Sequence, residues 1–207
     1  MEEASQDSRR VAAIVLAAGR STRMGEANKL TADIGGNAMV RRVAETVLAS
    51  RARPVLVVTG HMMAEVAGAL DGLDLGLVAN PDHATGLASS LKAGLRALPK
   101  SCAGVLVVLG DMPRIAPEHL DKLIAAFEAA QRAAVVVPVH KGRQGNPVLW
   151  PAKHFPALLR LEGDAGAKRL LGANAADVRE VDLGTDAIFV DVDTPEALAR
   201  ERGAGSG

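Results

Sequence analysis

Residues 11–29 read Val-Ala-Ala-Ile-Val-Leu-Ala-Ala-Gly-Arg-Ser-Thr-Arg-Met-Gly-Glu-Ala-Asn-Lys. The run Val11 to Leu16 is apolar and rich in β-branched residues, and Gly19 cuts it too short for a helix, so it predicts a buried strand. A loop comes next, bounded by Gly19 and Gly25, with Arg20, Ser21, Thr22 and Arg23 between them and Lys29 just beyond. Such a loop suits a polyphosphate: glycines let the backbone approach, amides bond the oxygens, and Arg and Lys offset the charge. An ordinary basic turn after a first strand is the plainer alternative. Two common phosphate motifs are excluded. Gly-Lys-Ser/Thr is missing, so this is not a P-loop, and Gly-x-Gly-x-x-Gly is missing, so it is not the dinucleotide fingerprint.

Outward from this stretch, apolar strands alternate with amphipathic helices. Strand candidates are 11–16, 55–59, 76–79, 104–109, 134–138 and 187–190. Helix candidates are 38–50, 62–70, 86–97, 117–131, 155–160, 164–172 and 195–202. Continuous apolar strands between helices predict a three-layer α/β/α architecture with a mostly parallel, Rossmann-like sheet. Residues 11–202 are expected to form a single domain, with the polar segment 1–10 and the tail 203–207 disordered.

Composition sets bounds. Of 207 residues, 48% are hydrophobic and 23% charged, as in soluble globular proteins. Lys+Arg and Asp+Glu number 24 each, which argues against a general nucleic-acid binder. The single cysteine, Cys102, precludes an internal disulfide and a cysteine metal cluster. No apolar run is long enough for a membrane helix and no convincing signal peptide opens the chain, so the cytoplasm is the expected location.

In such sheets ligands bind beyond the carboxyl ends of the strands, so the residues just past each strand matter most. After 55–59 comes His61, more simply a solvated loop histidine than a ligand contact. After 76–79 comes Asn80-Pro81-Asp82-His83-Ala84-Thr85-Gly86, a turn and helix entry, with Ser89 and Ser90 in the helix's first turn. After 104–109 comes Gly110-Asp111-Met112-Pro113, which puts a carboxylate at the sheet edge, suited to Mg²⁺ or to a plain turn. After 134–138, Lys141-Gly142 predicts a hairpin turn, and Trp150 is expected in the core rather than on a ligand. Asp164 is a helix-cap candidate, and Thr194 with Pro195 opens the last helix. Asp191 and Asp193, two apart on an extended segment, share one side and repel unless a cation or donors lie between.

Residues 16–25, Leu-Ala-Ala-Gly-Arg-Ser-Thr-Arg-Met-Gly, match at every fixed position the Leu-Ala-Ala-Gly-x-Ser-x-Arg-Met-Gly signature of the molybdenum cofactor cytidylyltransferases. The chain resembles that family, within the MobA-like NTP transferase superfamily, from about Val11 to Ala199. The resemblance implies a nucleotidyltransferase fold, with Gly-Asp-Met-Pro as a metal motif and an aspartate before Thr194-Pro195 as a second metal position. It implies that Asn80, Gly86 and Ser89 line the nucleotide site with Leu16, Ala17, Ala18, Gly19, Ser21, Arg23 and Lys29. Gly145, Asn146 and Pro147 would contact a pterin acceptor, although the family's usual histidine is Asn146 here. Three residues, Glu26, Ala27 and Asn28, separate Gly25 from Lys29, where many relatives have two. Leu-Ala-Ala-Gly rather than Leu-Ala-Gly-Gly resembles the cytidine-using branch.

The chemistry implied is CMP transfer from CTP to the terminal phosphate of molybdopterin, with loss of pyrophosphate. Arg23, Lys29 and Asp111 are the expected catalytic groups, and Asp111 with Asp191 or Asp193 would hold Mg²⁺, with Mn²⁺ as an alternative. Other readings are transfer from GTP, a sugar or polyol phosphate acceptor, or a non-catalytic carrier serving a molybdoenzyme. A transient molybdoenzyme or chaperone partner is implied by the resemblance; nucleic acid and membrane are not.

Overall fold

The computed structural model describes residues 10–19, 28–163 and 166–204. Arg20, Ser21, Thr22, Arg23 and Gly25 lie outside the described residues, as do Asp164 and residues 1–9 and 205–207. The chain runs β1 (Val11–Ala17), β2 (Asp33–Ile34), β3 (Asn37–Ala38), α1 (Met39–Ala49), β4 (Val55–Thr59), α2 (Met63–Ala69), β5 (Gly76–Ala79) and α3 (Leu87–Ala97). It continues through β6 (Gly104–Leu109), α4 (Pro117–Ala129), β7 (Val135–His140), β8 (Arg143–Gln144), β9 (Val148–Pro151) and α5 (Phe155–Leu158). It ends with α6 (Gly166–Ala173), β10 (Val178–Asp182) and α7 (Pro195–Ala204).

Among the described residues the main sheet has eight strands, ordered β10-β7-β9-β6-β1-β4-β5, with β8 paired to β7. β1 lies between β4 and β6 and is parallel to both. β5 runs parallel to β4, and β10 parallel to β7. β9 is antiparallel to both β6 and β7. Helices cover both faces, which is the expected three-layer α/β/α arrangement.

The apolar composition of β1 follows from its place. Val11, Ala13, Val15 and Ala17 point into one core with Val43 and Val47 of α1 and Leu120 and Phe127 of α4. Ala12, Ile14 and Leu16 point into the other with Leu91 and Leu95 of α3 and Leu158 of α5. Alternate side chains face opposite sides, so a strand covered on both has no position left for a polar residue. Each buried Val, Ile or Leu contributes roughly 1.5–3 kcal/mol. Helix α1 buries Met39, Val40, Val43, Ala44 and Val47, a helical stripe, and leaves Arg41 and Arg42 off it. Helix α3 rides close on the sheet because Gly94 has no Cβ; one would stand 2.8 Å from Ile14 Cγ2 and 3.0 Å from Val58 Cγ2. A third cluster, Ile34, Met39, Val192 and Leu198, docks α7 and the segment before it against the β2–β3 hairpin.

One expected strand is not a strand. Residues 187–190 lie within and just after a 3₁₀ turn, Asp186–Phe189, which the Thr185 hydroxyl caps by accepting from the Ala187 amide. The run buries Ala187 and Ile188 as a turn, and the outer parallel strand is β10 instead. The pattern of β10 hides it, because Val-Arg-Glu-Val-Asp interleaves charges, as suits an edge strand. β9 and the two-residue strands β2, β3 and β8 are likewise absent from the sequence-based expectation. The Lys141-Gly142 turn is present, with φ of 50° and 72°, the left-handed pair a two-residue hairpin needs. Among the described residues no helix is long and apolar enough to cross a membrane.

Candidate active site

β1 and β6 pair in register to Leu16 and Leu109, so their carboxyl ends lie side by side. The Gly110 amide donates to the Leu16 carbonyl at 3.0 Å, and a Cβ on Gly110 would stand 3.0 Å from that same oxygen. Only glycine passes there without a shift, and it delivers Asp111 to the sheet edge beside Ala18 and Gly19. The Asp111 carbonyl accepts from the Val192 amide at 3.0 Å, which brings the 190–194 segment alongside. Thr194 caps α7 by accepting from the Ala197 amide at 3.2 Å.

Lys29 reaches the same place from a separate segment. Asn28 is buried, and its Oδ1 accepts from the Leu30 amide at 3.0 Å, which starts the 3₁₀ turn Lys29–Thr31. From this turn Lys29 Nζ donates to Asp111 Oδ2 at 2.6 Å and also to Asp193 Oδ1. The lysine and Asp111 side chains are only 11% and 16% exposed. Burial lowers the Lys29 pKa, but Asp111 and Asp193 outweigh it, and the net value stands above the ordinary one. The amine is therefore charged at neutral pH. Burial raises the Asp111 pKa, Lys29 opposes that, and Asp193 and Asp191 add to it, leaving the net value raised.

Asp111 Oδ1 is buried without a hydrogen-bond partner among the described residues. Among the described residues no group of three or more His, Cys, Asp or Glu side chains is placed to hold a metal ion. The fit rests on the pair Asp111 and Asp193, which share Lys29 and keep a buried oxygen in reserve. Two carboxylates with phosphate oxygens and water suit a hard divalent ion. Of the two alternatives in the sequence, Asp193 joins Asp111 at Lys29, while Asp191 lines the adjoining cavity.

That cavity, about 970 Å³, runs along the α3 and α6 face of the sheet. Leu16, Leu91, Val107, Leu109, Val148 and Trp150 make its apolar wall. Its polar groups are Arg143, Gln144, Asn146, Glu180 and Asp191. Trp150 is 1% exposed, so it is a core residue that also forms the wall. Gly145 lines the cavity and donates to the Pro138 carbonyl at 2.9 Å, while the Asn146 amide donates to the Ile188 carbonyl at 3.0 Å. A Cβ on Gly145 would lie 2.5 Å from that Ile188 oxygen. Pro147 comes next as the lead into β9.

On the β4 and β5 side, Ala18 is buried and its carbonyl accepts from the His61 amide at 3.4 Å. Gly60 is pressed by His83, whose Cβ lies 2.5 Å from where a Gly60 Cβ would stand, and by the Ala18 Cβ at 2.9 Å. Asn80 is buried and donates to the Ser89 and Ser90 hydroxyls at 2.8 and 3.0 Å, while its Oδ1 accepts from the Asp82 amide. Ser89 also lies within hydrogen-bond distance of the Asp82 and Gly86 carbonyls, at 3.0 and 2.8 Å. These groups fasten the 80–86 loop, and the Ser89 hydroxyl is bonded within it. Gly86, with φ of 109°, makes the bend before α3.

The structure thus brings together Leu16, Ala17, Ala18, Gly19, Lys29, Asp111, Asp191 and Asp193 at one edge, with Gly145 and Asn146 on the neighbouring cavity. Sequence reasoning missed Arg143, whose guanidinium lies 4.6 Å from the Phe189 ring centroid, and Glu180, which accepts from Gln144 at 2.9 Å. The signal for Arg143 is its place directly after the Lys-Gly turn; Glu180 sits on β10, the strand that the sequence pattern hides.

Residues 13–178 match the family model described as the MobA-like NTP transferase domain. The chain is 31% identical over 192 residues to the purine catabolism protein PucB of Bacillus subtilis, covering 88% of this chain and 91% of that protein. It is 31% identical over 205 residues to a probable molybdenum cofactor guanylyltransferase of Natronomonas pharaonis, covering 91% and 95%. The fold superposes on a solved Rv0371c homologue from Mycobacterium sp. strain JC1 with a TM-score of 0.85 at 26% identity, over 96% of this chain and 97% of that one.

Proposed function

We propose that this chain, which belongs to the MobA-like NTP transferase domain family and is a nucleotidyltransferase, transfers CMP from CTP to the terminal phosphate of molybdopterin. An acceptor oxygen attacks the α-phosphorus, a new P–O bond forms, and the bond to the bridging oxygen breaks to release pyrophosphate. The observation that carries this reading is Lys29 held between Asp111 and Asp193 at the strand ends, beside a cavity with an apolar wall and several polar lining groups. Phosphoryl chemistry of this kind needs positioning and charge neutralisation more than a base, since the acceptor phosphate is already an anion.

Lys29 neutralises triphosphate charge, joined by the Gly19 amide, Ser21 and Arg23. Asp111 with Asp193, and Asp191 beside them, would hold Mg²⁺ or Mn²⁺. When bound there, the ion supplies further neutralisation of the phosphates. Asn80, Gly86 and Ser89 keep the 80–86 loop in shape on the base side. Gly145, Asn146 and Pro147 border the acceptor, whose flat pterin has a stacking face for the cavity's apolar wall and polar edges for groups such as Asn146 and Arg143. A transient molybdoenzyme or chaperone would receive the product.

The choice of CTP rests on Leu16-Ala17-Ala18-Gly19, which resembles the cytidine-using branch; Ala18 is buried, and its methyl lies beside Gly60. The test is pyrophosphate release from purified protein with Mg²⁺ and molybdopterin, comparing CTP, GTP, ATP and UTP. CTP-dependent release is expected. Release with GTP alone overturns the base. Absence of release with every nucleotide overturns the acceptor or the catalysis.

A further inference from the structure

The seat between Asp111 and Asp193 already has a cation in it, the ammonium of Lys29. Two carboxylates this close repel one another, and burial of Asp111 makes a missing counter-charge costly. A lysine suits this, since three donors on a compact charge reach Asp111 and Asp193 at once. The same geometry has a second effect. Asp111 Oδ2 is taken by the ammonium, and Oδ1 is buried without a hydrogen-bond partner among the described residues. A divalent ion entering this seat meets a positive charge within contact distance and competes for the same oxygen.

We infer that Lys29 is a resident counter-ion that withholds the Asp111–Asp193 pair from free divalent cations until a bound triphosphate draws the ammonium onto its own oxygens. This rests on reading the site as the transfer centre. The lysine stem is long and flexible enough to change partners, whereas the aspartates are short and the backbone bond between Val192 and Asp111 holds their segments together. A nucleotide brings several negative charges to the strand ends and offers the displaced ammonium a new partner. Metal and nucleotide would then bind with positive coupling, and by linkage each would raise the other's affinity by the same factor. The structural role of Lys29 and its role on the substrate are thus two positions of one charge.

The test is Mn²⁺ binding to the full chain without nucleotide at pH 8, tracked by the electron paramagnetic resonance of unbound Mn²⁺. Lys29→Met and Lys29→Gln are expected to bind Mn²⁺ on the order of tenfold tighter than wild type or more, since one unit charge at contact distance is removed. Adding Asp111→Asn to either variant should abolish the gain, which assigns it to this seat. Circular dichroism checks that each variant is folded, and the glutamine variant serves if methionine does not fold. Equal Mn²⁺ affinity in wild type and the folded variant overturns the inference. Failure of the counter-ion idea is separable from failure of the proposed reaction. Equal Mn²⁺ affinities with intact CTP turnover sink only the counter-ion; a clear Mn²⁺ difference without turnover on any nucleotide sinks only the reaction.

Discussion

Replacing Asp111 by asparagine keeps the shape of the side chain and removes one charge. In the structure that charge holds Lys29 at 2.6 Å and keeps a second buried oxygen in reserve. Two unit charges about 4 Å apart at an effective dielectric of about 20 interact by about 4 kcal/mol. A doubly charged ion loses at least one such contact in the variant. A loss of about 3–4 kcal/mol of transition-state stabilisation corresponds to roughly 10²–10³ in turnover. Asp111→Asn is therefore expected to reduce kcat for pyrophosphate release by at least about 100-fold at saturating Mg²⁺. The fold should persist, because burial penalises the ionised form of Asp111 and the neutral amide removes that penalty. A melting temperature within about 4 °C of wild type is expected, the change roughly 1 kcal/mol produces in a chain of this size. Turnover within about fivefold of wild type, in a folded variant with saturating metal, would refute the assignment of Asp111 and favour a nucleotide carrier over an enzyme.

Ala18→Gly removes the methyl beside Gly60 and should raise the kcat/KM ratio of GTP over CTP by about tenfold or more, the scale of one methyl in a tight pocket; an unchanged ratio in paired assays would remove Ala18 from base selection. Gly145→Ala forces a Cβ towards the Ile188 carbonyl, 2.5 Å away, so the acceptor edge must move; KM for the acceptor should rise while affinity for nucleotide, measured by calorimetry, stays within about twofold. Asn80→Ala leaves Ser89 and Ser90 without their shared donor and should cost about 1–3 kcal/mol in urea unfolding. His119 is a pH probe remote from the chemistry. Burial, then Lys122, holds its pKa below the ordinary 6.5, although Glu118 opposes them, and its Nδ1 accepts from the Ala116 amide. The folded state therefore prefers the neutral ring, so its contribution is present above 6.5 and is lost as pH falls through the lowered folded value. Thermal melts should fall more steeply with acid in wild type than in His119→Gln, and parallel slopes would contradict this.

The core strands and the acidic edge are legible in the sequence for a simple reason. β1, β4 and β6 are covered on both sides, so their composition is almost purely apolar and the pattern is strong. Asp111 is legible because a carboxylate directly after such a strand stands at a sheet edge. The pairing of Lys29 with both aspartates is not, since 82 and 164 residues separate the partners and only the folded chain brings them together. Ser89 is legible as a first-turn serine, but its bonds to Asn80, Asp82 and Gly86 are not, since they depend on how the 80–86 loop folds back. Val178–Asp182 is hard to read because Val178 packs against one core and Val181 against the other with exposed charges between, so neither an apolar run nor an alternation shows, whereas 187–190 has the composition of a strand but forms a turn.

The reversed direction of β9 has a consequence for how the molecule divides. Because it runs against β6 and β7, the residues that precede it, Asn146 and Pro147, stand at the same rim that its neighbours reach with their last residues. One inverted strand therefore splits the rim into two provinces: β1, β4, β5 and β6 on one flank, β7 and β10 on the other, with Asp111 on the frontier. A graft of residues 134–183 from a relative would replace the second province and leave Lys29, Asp111 and Asp193 untouched. On the proposed reading, the segment that borders the acceptor is exchangeable without touching the groups that meet the triphosphate.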